Sequence, residues 1–228
     1  SFPTRRSSDL PGLPPERQIA RRFAESGFSV IVPVLIDRTI AARLVRAKLT
    51  SREFLHRASF ELGRTLIGFE VQKVLALTDL VSAERKRNHA SVEKLGIFGY
   101  GEGGSIALYA GALDSTIDAV CVSGYFDDRN DLWQQPVDRN VFGLLDQFGD
   151  AELASMIAPR PLIIEAAQAP DFVYGPGQGG APGRISSPRL KTVKAEVERA
   201  RKLTDGFDPW LSLVVSGDNG QGPFGTEP

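Results

Sequence analysis

The chain is poor in the residues that most often announce a site. It has one cysteine, Cys121, and two histidines, His56 and His89, in 228 residues. A single cysteine excludes an internal disulfide framework. Cysteine and histidine together are too few for a four-ligand structural zinc site. Charge of one sign is also missing: 27 basic residues stand against 28 acidic ones, a net charge of −1. No basic excess is there to attract nucleic acid or an anionic membrane surface. No apolar stretch is long enough to span a bilayer. The apolar content, 42%, is that of one globular domain.

The first ten residues, SFPTRRSSDL, match the in-frame translation of a sequencing adapter and are set aside from fold reasoning. Without them 25 basic and 27 acidic residues remain, a net charge of −2. Residues 11–228 then read as one domain and as a fragment. Elements before Pro11, and a helix after the Gly-rich end at Pro228, are expected to lie outside it.

Periodicity supplies a framework. Glu16 to Ser26 has helical spacing and stops at Gly27. Phe28 to Ile36 (FSVIVPVLI) reads as a strand buried on both faces, with Pro33 placing its end or an edge there. Arg38 to Thr50 is basic and of ambiguous type. Ser51 to Val81 carries a long helical stripe that Gly63 and Gly68 are expected to bend or interrupt. Strands follow at Lys94 to Phe98, Ala119 to Ser123, Leu162 to Ala167 and Trp210 to Ser216. Helices are predicted over Ser105 to Leu113, Asp150 to Ile157 and Leu190 to Leu203. Gly175 to Pro188 reads as a Gly/Pro loop. Strands alternating with helices imply an α/β, doubly wound, mostly parallel sheet.

The most specific local signal is Gly99-Tyr100-Gly101-Glu102-Gly103-Gly104, between a strand and a helix. Two machines use such a turn. The dinucleotide fingerprint G-x-G-x-x-G turns backbone N–H groups toward a pyrophosphate, here through Gly99, Gly101 and Gly104. Asp127 and Asp128 lie roughly twenty residues further on, about where an acid would hold a ribose hydroxyl. Asp127 follows Gly124-Tyr125-Phe126, however, rather than sitting at the strand tip. The other machine is the nucleophile elbow G-x-S-x-G, which the turn satisfies except that Gly101 stands in place of Ser.

Three segments favour the elbow: Arg17 to Ile36, Leu95 to Asp118, and Ala154 to Ile164 with its Ala158-Pro159-Arg160-Pro161 entry to a strand. In order and spacing they resemble the α/β-hydrolase superfamily, in its dienelactone-hydrolase and acetyl-xylan-esterase-like branches. The resemblance implies a Ser nucleophile, a His base, an orienting acid and backbone oxyanion donors. The nucleophile position is Gly101, and the Glu102 N–H takes an oxyanion position. The acid is expected after Leu162 to Ala167, with Asp171 as the match and Glu165 as the alternative. A solvated loop acid is the plain reading of Asp171. The His is expected in Gly217 to Phe224, where Gln221 or Gly222 occupies its place.

Two triad members are thus missing from their expected positions. Neither His56 nor His89 replaces the base by position. Three readings stay open: a hydrolase-fold protein without serine-hydrolase activity, a non-serine ester hydrolase using Glu102, Asp171 or Asp218 as base, and a dinucleotide binder. Ser105 and Ser123 are weaker nucleophile candidates. The ligand expected is a small molecule or carbohydrate ester, with no cofactor, metal, nucleic acid or membrane. The aromatic and Asp-rich stretch Gly124 to Gly149 stands where a cap over the pocket would be, or packs as a satellite cluster.

Overall fold

The computed structural model describes residues 18–43, 47–87, 94–174, 180–205 and 209–225. The adapter-like start and His89 lie outside the described residues. The first helix, α1 (Ile19–Glu25), stops at Gly27, whose φ of +91° a side chain would resist. The ambiguous basic stretch contains an antiparallel hairpin, β1 (Ile40–Arg43) and β2 (Ala47–Thr50). Thr50 caps α2 (Ser51–Glu61) by accepting the Glu53 N–H at 3.0 Å. Gly63, at φ +69°, turns the chain between α2 and α3 (Leu66–Arg87), so the long periodic segment is two helices. Gly68, the other expected interruption, lies inside α3 and leaves it continuous.

Next come β3 (Gly96–Tyr100), α4 (Glu102–Leu113) and β4 (Ala119–Ser123). The excursion after β4 holds three single 3-10 turns, at Leu132–Gln134, Val137–Arg139 and Leu144–Asp146. Then follow α5 (Asp150–Ser155) and β5 (Leu162–Ala166). β6 (Phe172–Tyr174) precedes the Gly175 to Pro188 stretch read as a loop and pairs antiparallel with β7 (Gly183–Ile185), a strand inside that stretch. The chain continues into α6 (Leu190–Leu203) and β8 (Leu211–Val215).

β3, β4, β5 and β8 form one parallel sheet in that order. Alternation along the strands gives it two unequal faces. Val120, Val122, Leu162 and Ile164 are fully buried in the core shared with α4, α5 and α6. α4 comes so close that a Cβ on Gly111 would stand 2.5 Å from Val120 Cγ2. The other face carries Phe98, which meets the ring of Phe23 from α1 at 5.7 Å. Further along that face Ile163 and Val214 are 40% and 36% exposed.

Phe28 to Ile36 departs from its prediction. It joins no sheet among the described residues, and Val34 is 79% exposed. Pro33 removes one ladder donor from it. At its end side chains take over the role of a partner strand. Lys73 Nζ donates to Val34 O at 2.8 Å, Glu70 Oε1 accepts Ile36 N–H at 2.6 Å, and Arg52 Nη1 donates to Ile36 O at 3.0 Å.

The Ala-Pro-Arg-Pro entry to β5 has a structural purpose in its arginine. Arg160 Nη1 donates to Asp114 O and Ile117 O at 2.9 and 2.8 Å, and Nη2 donates to Gly111 O at 2.7 Å. A guanidinium therefore closes the carbonyl end of α4, where the helix dipole favours positive charge. Replacing it by a side chain of similar length without donors, Arg160→Met, is expected to cost about 2–3 kcal/mol. Urea unfolding followed by circular dichroism measures this; an unchanged midpoint would contradict the assigned role.

Candidate functional site

The site forms where the loops leave the carboxyl ends of the parallel strands, the usual place for ligands in such sheets. Gly101 after β3 donates to Ser123 O at 2.9 Å, and Gly124 after β4 donates to Glu165 O at 3.0 Å. Gln168, after β5, donates to Gly222 O at 2.9 Å, which brings the final loop to the same edge.

The glycines of the turn have separate reasons to be glycine. A Cβ on Gly99 would fall 1.9 Å from Gly103 O, and one on Gly104 would fall 2.8 Å from Tyr125 Cβ. Both positions pack the strand, turn and helix together. Gly101 differs: it has φ +55° and ψ −113°, a conformation that side chains rarely adopt. A Cβ there would lie 3.2 Å from Pro170 Cδ, so the ring of Pro170 crowds the place of a side chain at position 101. Gly103 meets no such restriction. For a dinucleotide, the same ring stands beside the middle glycine that a pyrophosphate would approach.

Glu102 is the electrostatic centre. Its carboxylate meets Arg38 Nη2 at 2.7 Å, Arg52 Nη2 at 3.1 Å and Arg139 Nε at 3.2 Å. Asp138 shares two of these partners, Arg52 Nε at 2.8 Å and Arg38 Nη2 at 3.2 Å. Glu70 completes the cluster, 3.5 Å from Arg52 and 2.8 Å from Lys73. Arg52, Asp138 and Glu70 are at most 1% exposed. Burial pushes the Glu102 pKa up, but Arg139, Arg52 and Arg38 outweigh it and hold the carboxyl below its ordinary value. A carboxylate so held is a poor proton acceptor.

A cavity of about 380 Å³ lies over Gly101. Arg38, Arg129, Arg139, Arg184 and Arg189 reach its wall, as do Glu102, Asp127 and Asp131. Arg129 is spent on the buried Asp150, with Nε 2.8 Å from Oδ2, and its guanidinium lies 3.7 Å from the centre of the Tyr125 ring. The Asp- and aromatic-rich excursion therefore does build part of this wall, through Tyr125, Asp127, Gln134 and Arg139.

The other predicted residues have visible tasks. Asp171 Oδ1 accepts the Ser187 N–H at 2.8 Å, tying the approach to β6 to the segment after β7. Glu165 is buried and accepts from Ser216 Oγ at 2.6 Å and Gly225 N at 2.7 Å. Gln221 Nε2 donates to Pro188 O at 3.1 Å. Asp218 is exposed and lies outside the cavity wall. Ser105 Oγ is bonded to Glu102 O at 2.7 Å, an ordinary first-turn contact. Ser123 is fully buried, with no hydrogen-bond partner for Oγ among the described residues. His56 is buried in α2 against Phe60, away from the cavity wall; burial lowers its pKa despite Asp138 and Glu53. Of the positions read from the sequence, the structure brings Gly101, Glu102 and Asp127 together at the cavity. Sequence reasoning missed Arg38, Arg52, Glu70 and Arg139, and saw Asp138 only as one acid of the excursion; apart from the Glu70–Lys73 pair, their partners in the cluster are far away along the chain and share no motif.

A parallel sheet, a sharp glycine elbow at a strand end and a cavity over that elbow define a protein of the α/β-hydrolase fold. Within that class the chain belongs to the dienelactone hydrolase family, whose model matches residues 9–139. No curated protein matches the sequence. Among solved structures, the chain is similar to a Bacteroides fragilis NCTC 9343 protein described as a candidate acetyl xylan esterase, with 14% identity and a TM-score of 0.52. The match covers 72% of this chain and 40% of that one, so the chain spans well under half the length of that structure. At this identity the likeness is one of fold.

Glu102→Gln would leave three guanidiniums short of a counter-charge, and a loss of about 3–5 kcal/mol is expected at neutral pH. The pH dependence follows from the direction of the shift. A folded-state pKa below the unfolded one adds stability that is present above the ordinary Glu value, and lost as pH falls through the folded value. Wild type should therefore lose stability in that acidic window, and Glu102→Gln should lose less there. Thermal melts across acidic pH check both; parallel curves would remove Glu102 from this role.

Proposed function

We propose that this member of the dienelactone hydrolase family binds a small ligand in the cavity over the elbow and does not hydrolyse esters through a serine. The observation that carries the reading is Gly101: it has the elbow's backbone conformation, no side chain, and Pro170 3.2 Å from where a Cβ would stand. The final loop supports it, because Gln221 stands where the resemblance expects His and its amide is bonded to Pro188 O. Loss of nucleophile or base in such mechanisms costs several orders of magnitude in rate. The acidic alternative is weakened by Glu102, whose carboxylate is shared among three arginines. The dinucleotide alternative is weakened by the crowding over Gly101.

The protein should show no turnover of p-nitrophenyl acetate above background, and no labelling by a fluorophosphonate serine probe. Gly101→Ser should remain inactive, since it adds a hydroxyl against Pro170 without a base. Turnover that the probe abolishes would overturn the proposal. So would stabilisation by NAD or NADP on thermal melting, in favour of the dinucleotide reading.

A further inference from the structure

The cavity wall holds two kinds of charge. Arg38 and Arg139 are neutralised by Glu102, with Asp138 also serving Arg38, and Arg129 is neutralised by Asp150. Arg184 on β7 and Arg189 just before α6 differ: neither has an ion pair among the described residues, and both are exposed. They are close in sequence, and both line the cavity. Asp127 and Asp131 enter from the excursion after β4, with no guanidinium in ion-pair contact among the described residues. Asp127 Oδ1 accepts from Asp128 N, and Asp131 Oδ1 accepts from Gln134 Nε2. Gln135 and Ser186 also line the cavity, and their side chains have no hydrogen-bond partner among the described residues. The ring of Phe172, 45% exposed, completes the wall.

We infer that the ligand is an acidic saccharide: a sugar whose carboxylate or sulfate is held by Arg184 and Arg189 while its hydroxyls meet Asp127, Asp131, Gln135 and Ser186. This inference rests on the cavity being a ligand site, as proposed above. Planar guanidinium forks suit an oxyanion group, and charge-assisted bonds to it are the strong ones. Carboxylates accept from hydroxyls, and neutral amide or hydroxyl groups both accept from them and donate to them, without demanding a second charge. An exposed aromatic face offers the apolar surface that the C–H side of a sugar ring covers. The volume lies within the range of small-ligand sites, about 300–1,000 Å³. A purely apolar ligand would leave these polar groups desolvated and unpaired.

Isothermal titration calorimetry on the full chain tests this with D-glucuronate, D-galacturonate, galactose 6-sulfate, D-glucose and inorganic sulfate. A uronate or the sulfated sugar should bind, and which of them does so names the anion. Arg184→Gln and Arg189→Gln should each weaken that binding at least about tenfold. Both sites are exposed, so far-ultraviolet circular dichroism should be unchanged and the loss attributable to the cavity. Equal binding of D-glucose, equal binding of inorganic sulfate alone, no binding by any of the five, or full affinity in both variants would each overturn the inference. Ester turnover tests the non-hydrolytic reading separately, so either can fail while the other stands.

Discussion

Arg52 is a guanidinium placed where the protein has almost no water, and much of the site follows from that. A buried charge is tolerated only when counter-charges and hydrogen bonds surround it. Here the partners come from four other parts of the chain: Ile36 O, Glu70 on α3, Glu102 at the elbow and Asp138 in a 3-10 turn. Arg38, Arg139 and Lys73 then serve the remaining carboxylate oxygens. Satisfying one arginine thus fixes the segment before it, two helices, the elbow and the excursion after β4 in a single arrangement. Such a cluster adds little net stability over an apolar core of the same shape, but removing one member leaves the others uncompensated.

The elbow has the opposite economy: it is held by sterics rather than charge. Gly99 and Gly104 allow the strand, the turn and the helix to touch, while Gly101 takes the positive φ of the corner without strain. A turn of this shape serves nucleophilic catalysis only if a side chain projects from its apex. In this chain the apex is bare and Pro170 crowds it, while the neighbouring Glu102 is turned to the ion cluster. The shape of the corner is kept, and the polar equipment of the cavity comes from elsewhere, from β7, the residue before α6 and the excursion after β4.

The parts of this molecule legible from sequence are those set by neighbours a few residues apart. The strand–turn–helix at Gly101, α6 over Leu190–Leu203 and the four short strands of the sheet all follow from local periodicity, glycine sterics and helix stops. The turn alone left two readings open, but Arg17 to Ile36, Leu95 to Asp118 and Ala154 to Ile164 together carried enough signal to indicate the family that its model match shows. Phe28 to Ile36 was misread because an apolar β-branched run says what a segment prefers, and not whether a partner strand is there to pair with it.

What the tertiary structure alone decided is everything that depends on partners far apart in the chain. Arg52 and Asp138 are separated by 86 positions, Arg38 and Glu102 by 64. In sequence each looks like a solvated charge. Only folding removes the water from around them and makes their pairing obligatory. The same holds for Pro170 over Gly101 and for Arg184 and Arg189 at the cavity. Sequence by itself determined a hydrolase-type sheet with a glycine corner. The fold decided what faces that corner, because proximity across loops is a property of packing and leaves no local pattern to read.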